Sequence, residues 1–234
     1  MDTHSSGRPA TWARSVDEAL TEQDRVRALA DLTSPGPGPG GIRLIAGVDV
    51  SYATEGDALV AAAVVLDAAS LEPVEVAVVE GRVTFPYVPG LLAFRELPPV
   101  MEALERLRHT PQLLVCDGYG IAHPRRAGLA VHLGVLTGLP CFGVAKTPFV
   151  FGHGDVGQER GDGAPLTSED GEVVGRALRT QRGVKPVFVS VGHAIGLDHA
   201  CAHTLRLAPR YRLPETTRWA DRVSRERLRA AAGA

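Results

Sequence analysis

A chain of 234 residues with net charge −2 is long enough to bury a sizeable core in one domain, with room for an appended arm. Its apolar content of 44% and charged content of 22% suit a soluble globular protein; no apolar run reaches membrane-spanning length, and MDTHSSGRPATWARS at the N-terminus lacks a signal-peptide pattern. Three cysteines without paired spacing (Cys116, Cys141, Cys201) point to a reducing, cytoplasmic setting, and the near-neutral charge neither advertises nor excludes a nucleic-acid partner.

Residues 14–32 carry an apolar stripe at helical spacing (Val16, Ala19, Leu20, Val26, Leu29, Ala30) and are expected to form an amphipathic helix packed on the domain from outside. The Pro/Gly tract 33–41 reads as a flexible linker or surface loop, so 1–41 form an arm packed on the domain and 42–234 the domain itself. Residues 42–53 predict a strand with Leu44, Ala46, Val48 and Val50 on one face and Asp49 on the other. Two more strands, 58–67 and 72–83, complete an antiparallel meander. Prolines stiffen 85–90 around Tyr87, which reads either as a packing residue or as a rigid aromatic presented to a flat ligand. A short helix 91–96 follows, interrupted by Pro98-Pro99, which places Glu96 near its end; a second helical run continues to Pro111.

Residues 113–117 predict a parallel strand covered on both faces and ending at Asp117, before a glycine turn. A helix over 128–137, a strand over 141–145 leading to Lys146, and a polar loop over 151–163 come next. Two strands within 164–180, a strand over 185–193, a helix over 198–207 capped by Asp198, and a basic helix that frays at its end complete the chain. Meander, helix, strand, helix, strand, helix makes a mixed α/β sheet flanked by helices.

If Asp49 and Asp117 sit on neighbouring strands, their carboxylates approach, and Glu96 from the intervening helix closes the triangle. Clustered carboxylates raise each other's pKa unless a cation neutralises them, and hard oxygen donors favour Mg²⁺ or Mn²⁺. Such a set suits phosphodiester hydrolysis.

The ordered motifs Gly47-Val48-Asp49-Val50-Ser51-Tyr52, Pro86-Tyr87-Val88-Pro89-Gly90-Leu91, Phe94-Arg95-Glu96, Asp117-Gly118-Tyr119-Gly120-Ile121-Ala122-His123-Pro124-Arg125 and Gly143-Val144-Ala145-Lys146 resemble those of endonuclease V, the inosine-specific endonucleases. The resemblance runs from about Gln23 to Leu213-Pro214-Glu215. It implies a ribonuclease H-like fold, a Mg²⁺ requirement that Mn²⁺ can meet, and nicking of DNA at the second phosphodiester 3′ to deoxyinosine. By similarity Asp49, Asp117 and Glu96 bind metal, His123 is a catalytic histidine, and Lys146 lies near the scissile phosphate. Tyr87 matches the wedge that fills the duplex when the base leaves; unstacking costs a few kcal/mol, less at a weak inosine pair. Gly90, Leu92, Gly118, Gly120 and Leu129 match the base pocket, and Arg125 and Arg126 the phosphate contacts.

Two departures stand out: Thr216 where the family often has a second proline, and Asp221 where it can carry a further metal-site histidine. His193, His199, Cys201 and His203 are close in sequence, but without a second tight pair they read as strand-end and helix-face positions rather than a zinc site, with His193 a buried, hydrogen-bonded histidine. The expected partner is DNA containing deoxyinosine or other altered bases, met by a monomer without a membrane. The alternatives are an inosine-specific endoribonuclease and a protein that binds altered bases without cutting.

Overall fold

A computed structural model describes residues 12–232. The first eleven residues of the expected arm, and the last two residues of the C-terminal stretch expected to fray, lie outside these. Nine strands form one sheet: β1 (Leu44–Tyr52), β2 (Ala58–Asp67), β3 (Pro73–Arg82), β4 (Leu113–Cys116), β5 (Cys141–Ala145), β6 (Gly152–His153), β7 (Gly163–Thr167), β8 (Val173–Leu178) and β9 (Val187–His193). Their order is β3-β2-β1-β4-β5-β9-β8-β7-β6, with β1, β4 and β5 parallel and the remaining pairs antiparallel. The expected meander is therefore one flank, and the mixed α/β sheet is as the sequence predicts.

The helices are α1 (Val16–Leu29), α2 (Leu92–Glu105), α3 (Leu129–Thr137), α4 (Leu197–Leu207) and α5 (Glu215–Ala232). On one face, α2 and α3 pack Leu97, Val100, Ala130 and Leu133 onto Ala46, Val48 and Leu114. On the other, α4 and α5 bring Cys201, Leu207 and Ala220 onto Ile45, Val64, Leu113 and Val115. Burial on both faces explains why β2 and β4 are near-continuous apolar runs, while β3 at the sheet edge alternates. The α3 helix is apolar all round because α1 covers its outer side through Val26, Val131 and Val135. No helix among the described residues is long and apolar enough to cross a membrane.

Four sequence expectations need correction. Pro98 and Pro99 do not interrupt the chain: α2 is continuous, and Glu96 lies inside it rather than near an end. The two missing N–H groups are offset by burial of Phe94, Leu97, Val100 and Met101 on the same helix. The Pro/Gly tract is not a flexible linker, because α4 holds it: the ring nitrogens His199 Nδ1 and His203 Nε2 bond the carbonyls of Pro35 at 2.7 Å and Pro37 at 2.9 Å, and Arg206 donates to Pro39. Asp198 does not cap α4; Gly196 is the N-cap, and Asp198 pairs with Arg176 at 2.9 Å. His193 is only partly buried, its Nδ1 accepting the Asp31 N–H at 3.1 Å.

The 151–163 segment, expected as a polar loop, adds the short edge strand β6 and wraps the buried Arg179, whose guanidinium donates to Val156 O at 3.0 Å and to Gly157 and Val184.

Candidate active site at the ends of β1, β4 and β5

Parallel pairing of Val48 with Cys116 places Asp49 and Asp117 one step beyond the last register pair, at the same end of the sheet. Gly143 of β5 pairs with Cys116, which brings Lys146 to that edge as well. Glu96 reaches it from α2. The four side chains line one cavity of about 310 Å³. The convergence expected for Asp49, Glu96 and Asp117 is thus present, and Lys146 forms an ion pair with Asp117.

Burial pushes Asp49 up to about 6, opposed by a hydrogen bond from Ser224 and assisted by the charges of Asp117 and Asp221. Burial, then the charge of Asp49, pushes Glu96 up to about 8. The Lys146 ammonium is disfavoured by burial, but its hydrogen bond and proximity to Asp117 outweigh this and leave its pKa raised. Among the described residues no three His, Cys, Asp or Glu side chains already form a closed metal cage. The donors are nevertheless hard oxygens held together against mutual repulsion, which is the chemistry a divalent cation relieves. The donor set therefore fits Mg²⁺ or Mn²⁺.

Several residues at this edge had no role in the sequence reading. Ser224, fully buried on α5, donates to Asp49 Oδ2 at 2.9 Å and lies 2.8 Å from Ser51 Oγ. Tyr52 donates to Glu96 Oε1 at 3.2 Å, with the Arg95 guanidinium 4.8 Å from its ring centre. Asp221, one of the two departures, lines a second cavity of about 800 Å³ with Asp49, Lys146 and Arg225, and pairs with Arg225 at 2.7 Å. The first turn of α5 reaches β1 because residue 47 is glycine: a Cβ there would lie 2.1 Å from Thr216 O. Thr216 is itself fully buried, and its hydroxyl has no hydrogen-bond partner. The aromatic pattern gave Phe149 no role either; its ring stands edge-on to Tyr119 at 5.3 Å and tilted against His123 at 5.7 Å.

A narrower cavity of about 110 Å³ shares Leu92, Glu96, Asp117, Gly118 and Leu129 with the carboxylate cavity. Gly90, His123, Phe149 and Tyr87 complete it. Tyr87 stands at its rim with 67% of its surface exposed. His123 lines this narrow slot rather than the carboxylate cavity. Burial lowers its pKa to about 4, against a hydrogen bond to the Gly90 backbone; its Nδ1 accepts the Arg125 N–H at 3.2 Å.

The expected pocket residues Gly90, Leu92, Gly118 and Leu129 are brought together, but Gly120 is not. It packs against β9, where a Cβ would lie 1.9 Å from Val191 O, and its N–H donates to Ser190 Oγ at 2.7 Å. The close approach of the β9 backbone requires glycine there. The two arginines are engaged within the chain: Arg125 pairs with Asp24 at 2.9 Å, and Arg126 with Glu172.

The family model for Endonuclease V matches residues 25–222. Endonuclease V of Streptomyces avermitilis is 61% identical over 223 residues, covering 95% of this chain and 96% of the relative. The crystal structure of that species' Endonuclease V superposes with a TM-score of 0.91 at 60% identity, covering 96% of this chain and 97% of the other. Ciona intestinalis Endonuclease V, crystallised with a 24mer DNA containing an inosine followed by a ribo-adenosine, gives a TM-score of 0.81 at 27% identity over 92% of this chain and 98% of its own. With matching motifs in order, a ribonuclease H-like sheet and nearly complete coverage in both directions, the chain belongs to the endonuclease V family.

Proposed function

We propose that the protein is a DNA repair endonuclease that recognises deoxyinosine and hydrolyses the second phosphodiester 3′ to it with Mg²⁺. The observation that supports this most directly is the adjacency of the two cavities: a slot of about 110 Å³ opens onto the carboxylates through shared walls. In this reading the slot takes a base rotated out of the duplex, and Tyr87 fills the gap. Gly90 and Gly118 offer backbone groups at close range to the O6 acceptor and N1–H donor of hypoxanthine.

Asp49, Glu96 and Asp117 would hold the cation, with Asp221 nearby. A bound divalent ion acidifies water and offsets charge on the leaving oxygen. Ser224 orients Asp49, and Tyr52 orients Glu96, so the two carboxylates are preset. Lys146 supplies a point charge for the phosphate once Asp117 engages the cation. His123, whose pKa burial lowers to about 4, holds the Gly90 wall of the slot through its hydrogen bond to the Gly90 backbone. Buried free cysteines suit a reducing compartment, the cytoplasm.

A labelled inosine duplex is expected to be nicked with Mg²⁺ and left intact with EDTA. Asp49→Ala should lower the rate by about a thousandfold or more. Cleavage indifferent to chelation or to Asp49→Ala would overturn the metal assignment. Tyr87→Ala should slow cleavage of a duplex by about tenfold while sparing a single strand, since only the duplex must be wedged open. A second reading, cleavage beside a ribonucleotide, draws support from the ribo-adenosine in the DNA bound to the Ciona protein. Matched inosine-bearing DNA and RNA strands, cut side by side, separate the two.

A further inference from the structure

Beyond the carboxylate edge, a cavity of about 510 Å³ lies between the β2–β3 turn, the α4–α5 loop and the first half of α5. The β2–β3 turn follows Asp67, which pairs with Leu44 at the opposite end of β1 from Asp49. Five residues of strand therefore separate the two sites along the sheet, roughly 17 Å. Arg206, Arg210, Arg218 and Arg222 line it, with Glu72 and Glu215 as the lining acids. Glu215 accepts from Arg218 at 3.4 Å and Glu226 from Arg222 at 2.8 Å, which fixes those two guanidiniums in place. Arg206 has no carboxylate partner, and Arg210 has no hydrogen-bond or ion-pair partner, among the described residues.

The aromatic groups complete the chemistry. The Arg218 guanidinium lies 3.6 Å from the ring centre of Tyr211, which is 48% exposed, and Arg222 lies 5.3 Å from that of Trp219. Guanidiniums without a carboxylate partner, such as Arg206 and Arg210, lining the same cleft as an exposed ring are the two elements that hold a phosphate and a stacked base. The same loop also leads to the active edge: Arg212 donates to Lys146 O at 2.5 Å and to Pro186 O at 2.7 Å.

From these contacts we infer that the arginine–tyrosine cleft is a second nucleotide-unit site, taking a phosphate on Arg210 and Arg206 and a flat base against Tyr211. Resting on the reading of the chain as a nucleic-acid enzyme, it holds strand lying outside the slot and the scissile phosphate. A free nucleotide presents the same phosphate and base, so the test separates the two sources.

Binding is read by fluorescence anisotropy in EDTA, with an undamaged strand of about thirty nucleotides titrated across salt, for the wild type, Arg210→Glu and Tyr211→Ala. Both positions are exposed, so neither change should disturb folding. Arg210→Glu is expected to reduce the slope of log affinity against log salt by about one, and Tyr211→Ala to weaken binding roughly tenfold at unchanged slope. Displacement of the strand by AMP from the wild type, lost in Arg210→Glu, would identify the free nucleotide as an occupant as well; its absence would leave the strand as the occupant. Unchanged affinity and slope in both variants would overturn the inference. A separate arm, single-turnover Mg²⁺-dependent cleavage of an inosine strand at saturating enzyme, where added affinity no longer shows in the rate, should be equal in all three proteins. No cleavage by the wild type in that arm would strike the proposed function, not the cleft.

Discussion

Glu96 is held where a carboxylate is least comfortable, and this has a measurable cost. Its pKa rises from an ordinary value of 4.5 to about 8, first through burial and then through Asp49. An acid raised on folding contributes stability in full below its unfolded pKa and loses it as pH climbs to the folded value. Without divalent cations the wild type should therefore lose stability between about pH 4.5 and 8. Glu96→Gln should be the more stable protein at pH 8 by roughly 4 kcal/mol and show a flatter profile, read by urea unfolding in EDTA. Equal pH profiles for the two proteins would count against a buried, repelled Glu96. At this scale the sequence was informative where a residue's own segment sets its place: Asp117 follows the last residue of β4 at a glycine turn, and Asp49 falls on the opposite face of β1 from its apolar neighbours. It was silent on Ser224, which meets Asp49 from 175 positions away, because no local pattern marks a hydroxyl for a distant partner. Nor did it mark what makes residue 120 a glycine: a glycine in a loop motif looks the same whether a ligand or, as with Val191 here, a neighbouring strand comes close.

The α2 helix shows tertiary packing overruling local preference. Pro98 and Pro99 each lack the N–H that an interior helical position donates, yet the helix passes through them. Burial of Phe94 and Leu97 before them, and of Val100 and Met101 after them, keeps both halves on one axis. Pro98→Ala should restore a bond to Phe94 O and raise the melting temperature by several degrees, about 1–2 kcal/mol after the looser unfolded chain is counted. A lower melting temperature would mean that the proline ring itself packs. The Pro/Gly tract makes the same point: its composition reads as a linker, but carbonyls freed of helical or strand bonding are available to His199, His203 and Arg206 on α4. The histidines that a spacing rule could offer to zinc are engaged as carbonyl partners.

Across the whole molecule, α1 joins the two walls of the proposed base slot. Gln23 is buried, and its amide donates to Gly90 O at 2.8 Å and to Ala127 O at 3.2 Å. Arg125 adds the pairing with Asp24 and a bond to Leu20 O at 3.3 Å. Gln23→Ala should cost about 1–2 kcal/mol and lower the melting temperature by roughly 2–8 °C. It should also narrow the difference in cleavage rate between inosine and adenine strands; retained discrimination in a properly folded variant would show that the slot is rigid without α1. What the sequence by itself determined was the alternation of strands and helices, the mixed sheet, and the placing of Asp49 and Asp117 on adjacent strand segments, because periodicity and turn chemistry are local and the motifs are contiguous. Only the tertiary structure decided which side chains orient those acids, that α2 runs unbroken, that the proline tract is docked, and that Gly120 packs against β9. Those outcomes depend on burial and on hydrogen bonds between segments far apart in the chain, and their free energies exist only once the segments have met.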